Sequence, residues 1–179
     1  MNNKNRGIVI WITGIPGSGK TTLARKLSKY LIKKNVPFFE LSGDDIREVF
    51  KFNDFKAMSR LQLARKYSDF LTKLSKKKIN ICFSTVALFH QVQKKNKKQI
   101  KNYFQIYIET KINSIINLNK KKIYISQKKN LWGKDIVFKK PIFSDLIIKN
   151  YPEKNKDPFN REVLEKIYIK LNKKFKLLK

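Results

Sequence analysis

A chain of 179 residues with 41% hydrophobic side chains can bury the core of one domain, and it contains no run of about 18 apolar residues to span a membrane. Its net charge of +29 is almost all lysine, 36 Lys against 6 Arg, spread along the chain among many Asn and Ile. Such a bias gives solvated faces that attract small anions; specific nucleic-acid binding is not expected, because arginine, the usual reader of bases, is scarce.

Met1 to Arg6 leads into an apolar run that is cut short at once, so it does not read as a signal peptide. That run, Gly7 to Thr13, has the length and composition of a buried strand. It feeds Gly14-Ile15-Pro16-Gly17-Ser18-Gly19-Lys20-Thr21, a match to G-x-x-x-x-G-K-[ST], and helical spacing resumes through Thr22 to Leu27. Strand, glycine loop and helix come in the order that a phosphate loop needs. The N–H groups of such a loop converge at a helix N-terminus, where partial positive charge favours a polyphosphate. Gly14, Gly17, Ser18, Gly19, Lys20, Thr21 and Thr22 are therefore the expected ATP-binding residues, with Lys20 on the β- and γ-phosphates and the Thr21 hydroxyl on Mg2+.

The first helix is expected to end near Lys34-Asn35, and Val36 to Leu41 reads as a second strand. It runs into Ser42-Gly43-Asp44-Asp45-Ile46-Arg47, which opens a helix. Ligands of open α/β sheets collect beyond the carboxyl ends of strands, so Asp44 and Asp45 either face the nucleotide or cap this helix. From Ala57 to Lys78 an amphipathic helix is predicted, with Leu61, Ala64, Tyr67, Ser68, Leu71 and Leu74 along one face and Arg60, Arg65 and Lys66 near its start. A strand from Ile79 to Ser84 follows and carries the single cysteine, Cys82, read as a buried thiol; one cysteine allows no internal disulfide and suits a reducing cytoplasm.

Leu88 to Lys101 reads as a basic helix, Tyr103 to Ile108 as a strand and Lys111 to Leu118 as a short helix. Periodicity is lost over Asn119 to Lys140, which carries Tyr124 and Trp132 and is long enough to be a lid. Phe143 to Ile148 reads as a last strand. The basic helix from Arg161 to Lys179, with apolar Val163, Leu164, Ile167, Tyr168, Leu171, Phe175 and Leu178, is expected to pack onto the domain and not onto a membrane. Strands alternating with helices predict a three-layer α/β/α domain with a mostly parallel sheet, spanning 1–179.

Read with the phosphate loop, Ser42 to Arg47 resembles the D-G-D-x-[IV]-R element of the adenylylsulfate (APS) kinase family, and the similarity runs from about Ile8 to Asn150. The resemblance implies a P-loop NTPase-like fold and transfer of phosphate from Mg·ATP to the ribose 3′-hydroxyl of APS or a related nucleotide, such as cytidine diphosphoramidate. It also implies a homodimer. Asp44 then falls on the residue expected near the acceptor hydroxyl and the metal, making Lys20 and Asp44 the candidate catalytic pair and Thr21 and Asp44 the candidate metal ligands. Arg47 falls on an acceptor-binding arginine, Phe55 on a stacking aromatic, and Arg60, Arg65 and Lys66 on basic positions for phosphate-like groups. Lys121 and Tyr124 fall on the lid's K-G-[LI]-Y, with Lys122 in place of its glycine. Gly133, Asp135 and Pro141 match later family positions.

The departures concern the acceptor side. Ser42 replaces the first Asp, Ala87-Leu88-Phe89-His90 replaces S-P-Y-R, and Leu118-Asn119 replaces an R-D pair. His90 is expected to be a surface residue. The lid is about four residues shorter between Tyr124 and Asn130, and Leu131 stands where the second clamp aromatic belongs, which weakens stacking on adenine. Two alternatives remain open on the residues alone: a P-loop kinase for another small molecule, and a nucleotide-binding protein without kinase activity.

Overall fold

The structure, a computed structural model, describes residues 5–117, 132–151 and 157–177. Its elements in chain order are β1 (Val9–Thr13), α1 (Lys20–Lys33), β2 (Phe39–Ser42), α2 (Gly43–Val49), α3 (Ala57–Lys76), β3 (Ile81–Thr85), α4 (His90–Gln99), β4 (Tyr103–Glu109), α5 (Ile112–Asn117), β5 (Leu146–Lys149) and α6 (Arg161–Phe175). The five strands form one parallel sheet in the order β2-β3-β1-β4-β5. This is a P-loop NTPase-like α/β fold.

The central strand shows why three layers form. All five residues of β1 are buried, and because strand side chains alternate they divide between two cores. Ile10 and Ile12 join Leu23, Leu27 and Leu31 of α1 and Leu164, Ile167, Leu171 and Phe175 of α6. Val9 and Trp11 join Leu63, Tyr67 and Leu71 of α3 and Val92 of α4 on the opposite face. The C-terminal helix thus packs onto the sheet as its apolar stripe predicts. Cys82 is fully buried, and burial pushes its thiol up to about 12.

Several boundaries differ from the sequence reading for local reasons. β2 begins at Phe39, not Val36, because Pro37 has no N–H to give to a ladder; Val36 and Phe38 are nevertheless buried. β3 begins at Ile81, since Asn80 uses its side chain to accept from Ile8 N–H and donate to the Pro37 carbonyl. α4 starts at His90, not Leu88, because Ala87 and Leu88 run through the core at 1% and 3% exposure. Of the expected lid, 119–131 lie outside the described residues, and 132–140 are irregular apart from a bridge between Trp132 and Ile136. Among the described residues no helix is long and apolar enough to cross a membrane.

Candidate active site

Strand order reverses at β1, which has β3 on one side and β4 on the other, and ligands of open α/β sheets bind beyond the carboxyl ends of the strands at such a point. Residues 14–19 turn there from β1 into α1. The turn is tight: a Cβ on Gly14 would lie 2.7 Å from the Ile108 carbonyl oxygen and from Ser18 Oγ. Gly17 and Gly19 take φ of 82° and 91°, a left-handed region that other residues rarely enter.

Gly19 is the N-cap of α1 and supplies no capping side chain, and no acidic residue lies in the first turn. The N–H of Leu23 donates to the Gly19 carbonyl, so the amides of Lys20, Thr21 and Thr22 precede the first bond of the helix ladder. Thr21 and Thr22 are exposed. Lys20 is buried and spans the loop, donating from Nζ to the Ile15 carbonyl at 2.8 Å. The buried hydroxyls of Thr13 and Ser18 have no hydrogen-bond partner. A helix start with no side-chain cap and no acid in its first turn, with the Lys20 ammonium folded back over the loop, has the features of a polyanion site.

Two strands over, about 10 Å across the sheet, β2 delivers a different helix terminus. Ser42 is the N-cap of α2: its Oγ accepts from Asp45 N–H at 3.1 Å, and Asp45 Oδ2 accepts from Ser42 N–H at 2.8 Å. Asp45 is therefore the capping carboxylate. Asp44, one residue earlier, takes no part in the cap and is exposed. Ser42, where the family pattern has Asp, does the capping itself. Gly43 has no room for a side chain, since a Cβ would stand 2.7 Å from Thr85 Oγ1. Its carbonyl accepts from the Tyr67 hydroxyl at 2.9 Å, and burial holds that phenol up to about 12.

Beyond α2 some of the residues expected on the acceptor side come together. The Arg47 guanidinium lies 5.0 Å from the centre of the Phe55 ring and 5.3 Å from that of Phe52. Arg60 lies 5.3 Å from the same Phe55 ring and donates from Nε to the Phe55 carbonyl at 2.7 Å. Phe55 itself stays 47% exposed. Arg65, five residues beyond Arg60 on α3, points elsewhere and donates to Gln91 Oε1 of α4 at 2.5 Å. Lys66 is exposed. Arg60 and Arg65 thus lie on different faces of α3, because a helix turns roughly 100° per residue. Lys121, Tyr124 and Leu131 lie outside the described residues.

The loop after β3 has become hydrophobic support. Leu88 packs with Ile15 of the phosphate loop, Tyr107, Ile115 and Trp132, and Phe89 meets Trp132 edge-on at 5.0 Å. Trp132 is 3% exposed and belongs to this core. Gly133 turns the chain at φ 85°, with Ile112 filling the space a Cβ would need. His90 is half-buried at the surface, and its Nε2 lies 2.8 Å from the Lys140 carbonyl in an exposed contact. Lys140 in turn pairs with Glu109 at 2.5 Å. Sequence reasoning overlooked Asn150 and Phe159, which close the phosphate loop from behind: the Asn150 side chain donates to the Ser18 carbonyl at 2.9 Å. No local pattern announces a contact made across 132 positions.

Residues 6–149 match the sequence model of a family described as adenylylsulphate kinase. The chain is 32% identical to the cytidine diphosphoramidate kinase of Campylobacter jejuni over 170 residues, covering 93% of this chain and 99% of that protein. It is 25% identical to the adenylyl-sulfate kinase of Buchnera aphidicola over 154 residues, 82% of this chain and 75% of that one. The APS kinase of Mycobacterium tuberculosis, solved with AMPPNP and APS, has the same fold at a TM-score of 0.81 and 19% identity, covering 93% and 98% of the two chains.

Proposed function

The chain belongs to the adenylylsulphate kinase family, a family of ATP-dependent kinases, and we propose that it transfers the γ-phosphoryl group of ATP to the ribose 3′-hydroxyl of a small nucleotide, with cytidine diphosphoramidate the favoured acceptor and APS the second. The observation that carries this reading is the pairing, across β3, of an uncapped α1 terminus bearing Lys20 with a capped α2 terminus bearing the exposed carboxylate of Asp44. The choice of acceptor is supported by the relative named for cytidine diphosphoramidate, which is 32% identical over almost its whole length.

Phosphoryl transfer asks the protein mainly for alignment and charge stabilisation. Lys20 and the amides of Gly19 to Thr22 hold the β- and γ-phosphates. Bound as its Mg2+ complex, ATP supplies the transferable group, and the Thr21 hydroxyl and Asp44 are the protein's oxygens suited to that ion. Asp44 accepts the hydrogen bond of the acceptor hydroxyl and then its proton, while the hydroxyl oxygen forms the new P–O bond as the bond from γ-phosphorus to the β–γ bridging oxygen breaks and ADP leaves. Phe55 offers a partly open aromatic face to the acceptor base, and Arg47 and Arg60 beside it suit the acceptor's phosphate groups. Arg65, Lys66, Lys121 and Leu131 complete the acceptor side on the family resemblance. The segment 119–140 serves as a lid that keeps water from the γ-phosphate. A dimeric protein of the reducing cytoplasm fits the family resemblance and the single buried thiol.

The test is an end-point assay of the purified full chain with ATP and Mg2+ and each acceptor in turn, product identified by mass and by 31P NMR. Cytidine diphosphoramidate should yield a monophosphorylated product and ADP in equal amounts. Product from APS alone would reassign the acceptor, and ATP binding without product from either nucleotide would overturn the kinase reading.

A further inference from the structure

The family match ends at residue 149, yet the back of the phosphate loop is closed by residues beyond it. Asn150 leaves the end of β5 with its N–H donating to the Glu109 carbonyl at 2.9 Å, and its side chain, 4% exposed, donates from Nδ2 to the Ser18 carbonyl at 2.9 Å. Phe159, 1% exposed, lies against the next residue: a Cβ built on Gly19 would meet its Cε2 at 2.8 Å and Asn150 Nδ2 at 3.2 Å. The Phe159 N–H donates to Asp157 Oδ1 at 3.1 Å, and the other oxygen of that carboxylate takes Lys26 of α1 at 2.5 Å. The end of β5, the turn before α6 and the body of α1 thus close around the Ser18–Gly19 peptide.

That peptide is where the loop is most easily spoiled. In a trans peptide the C=O and N–H point in opposite directions, so tying the Ser18 carbonyl to Asn150 turns the Gly19 N–H toward the opposite side, the mouth of the loop. The peptide turns on ψ of Ser18 and φ of Gly19, and Gly19, at φ 91°, offers that rotation no side-chain resistance. A rotated Ser18–Gly19 peptide would present a carbonyl oxygen to the phosphates where an N–H belongs, replacing attraction with repulsion. Glycine permits the required conformation but does not select it; a contact from outside the loop has to.

We infer that Asn150 and Phe159 are positioning residues that lock the Ser18–Gly19 peptide with its N–H toward the phosphates, so that the segment after β5 sets affinity for the donor nucleotide. The inference rests on residues 14–22 being the donor site. Asn150 selects the peptide's orientation through its hydrogen bond. Phe159 fills the space behind Gly19 into which the rotated peptide would relax.

The experiment measures the Kd for MgATP by calorimetry, and KM for both substrates, in Asn150→Ala, Asn150→Asp, Phe159→Leu, Lys20→Ala and Leu171→Ala. Leu171 is fully buried in α6 among the core that α1 shares, and serves as a control for loss of stability alone. Asn150→Ala should raise Kd and KM for ATP by about 10-fold, the loss of one hydrogen bond that orients a binding group. KM for the acceptor should stay within about 2-fold. Asn150→Asp, of the same shape but with no donor and a charge facing the Ser18 carbonyl, should raise Kd for ATP further, and Phe159→Leu should raise it less. Leu171→Ala should lower Tm and leave Kd for ATP unchanged at a temperature where the variant is folded. Wild-type ATP affinity in both Asn150 variants would overturn the inference, as would an equal rise of Kd in Leu171→Ala. If Lys20→Ala loses ATP while the Asn150 variants do not, the inference alone fails; if Lys20→Ala binds ATP as wild type does, the donor site itself has been misread.

Discussion

Two helices start at the carboxyl edge of the same sheet, two strands apart, and the chain finishes them in opposite ways. α1 begins on a glycine with no capping side chain and no acid in its first turn. α2 begins on Ser42, whose hydroxyl and Asp45 partner satisfy the terminus from within, and it carries Asp44 as well. An identical backbone dipole is thus left open in one place and neutralised in the other. On the proposed reading, the terminus that serves as an anion site is the one from which the sequence withholds a cap. Where the cap is present, the same terminus becomes a rigid mount for a carboxylate, which is what an acceptor hydroxyl needs and a triphosphate repels.

The sharpest way to break this contrast is to remove the cation from the open terminus. Lys20→Ala should reduce turnover by roughly 1,000-fold or more, since the ammonium is the one side-chain charge that the loop brings to the developing phosphate charge. A coupled ADP-release assay reads it, and turnover within tenfold of wild type would sink the assignment. Asp44→Asn should cost about 100-fold in kcat, the lower end of what a positioned base contributes, with little change in Kd for ATP. If kcat held at the wild-type value, the capped terminus would be a structural feature only. Asp45→Asn, by contrast, should act through stability, because this residue is spent on the cap.

How much of this contrast is legible in the residues depends on whether the cause is local. The open terminus is: glycines, lysine and threonine at fixed spacing between a five-residue apolar strand and a helix leave little else for the backbone to do. The capped one is half legible. Ser42 and Asp45 stand three apart, the spacing of a capping box, and reading it as such would have separated Asp45 from Asp44 without coordinates. The split of Arg60 from Arg65 follows from helical period and was open to the same treatment. Trp132, part of the segment expected to be a lid, is a core residue, and Ala87-Leu88, a departure from the family pattern on the acceptor side, is buried in two hydrophobic cores. Those outcomes, like the grip of Asn150 on Ser18, arise from contacts between segments far apart in the chain, where spacing carries no information.

The smallest effects test whether the mount of Asp44 is as rigid as the cap suggests. Ser42→Ala removes the hydroxyl that accepts from Asp45 N–H and should cost about 1 kcal/mol of stability, with a fall in kcat and no change in ATP affinity. Tyr67→Phe removes the donor to the Gly43 carbonyl, worth about 0.5–1.5 kcal/mol at neutral pH, and should lower kcat less than Ser42→Ala because the cap survives. The two differ in their response to pH. Burial, the main cause, raises the Tyr67 phenol from 10.0 to about 12 in the folded protein. Between those values the unfolded chain gives up the proton while the folded one keeps it, so the folded state binds more protons and stability falls as pH rises. Tyr67→Phe has no such proton to lose. Its deficit against wild type in chemical denaturation should therefore be full below pH 10 and narrow from pH 10 toward about 12, whereas the Ser42→Ala deficit should stay constant. A Tyr67→Phe deficit that stayed constant across that range would mean the phenol is not held as the hydrogen bond to Gly43 requires.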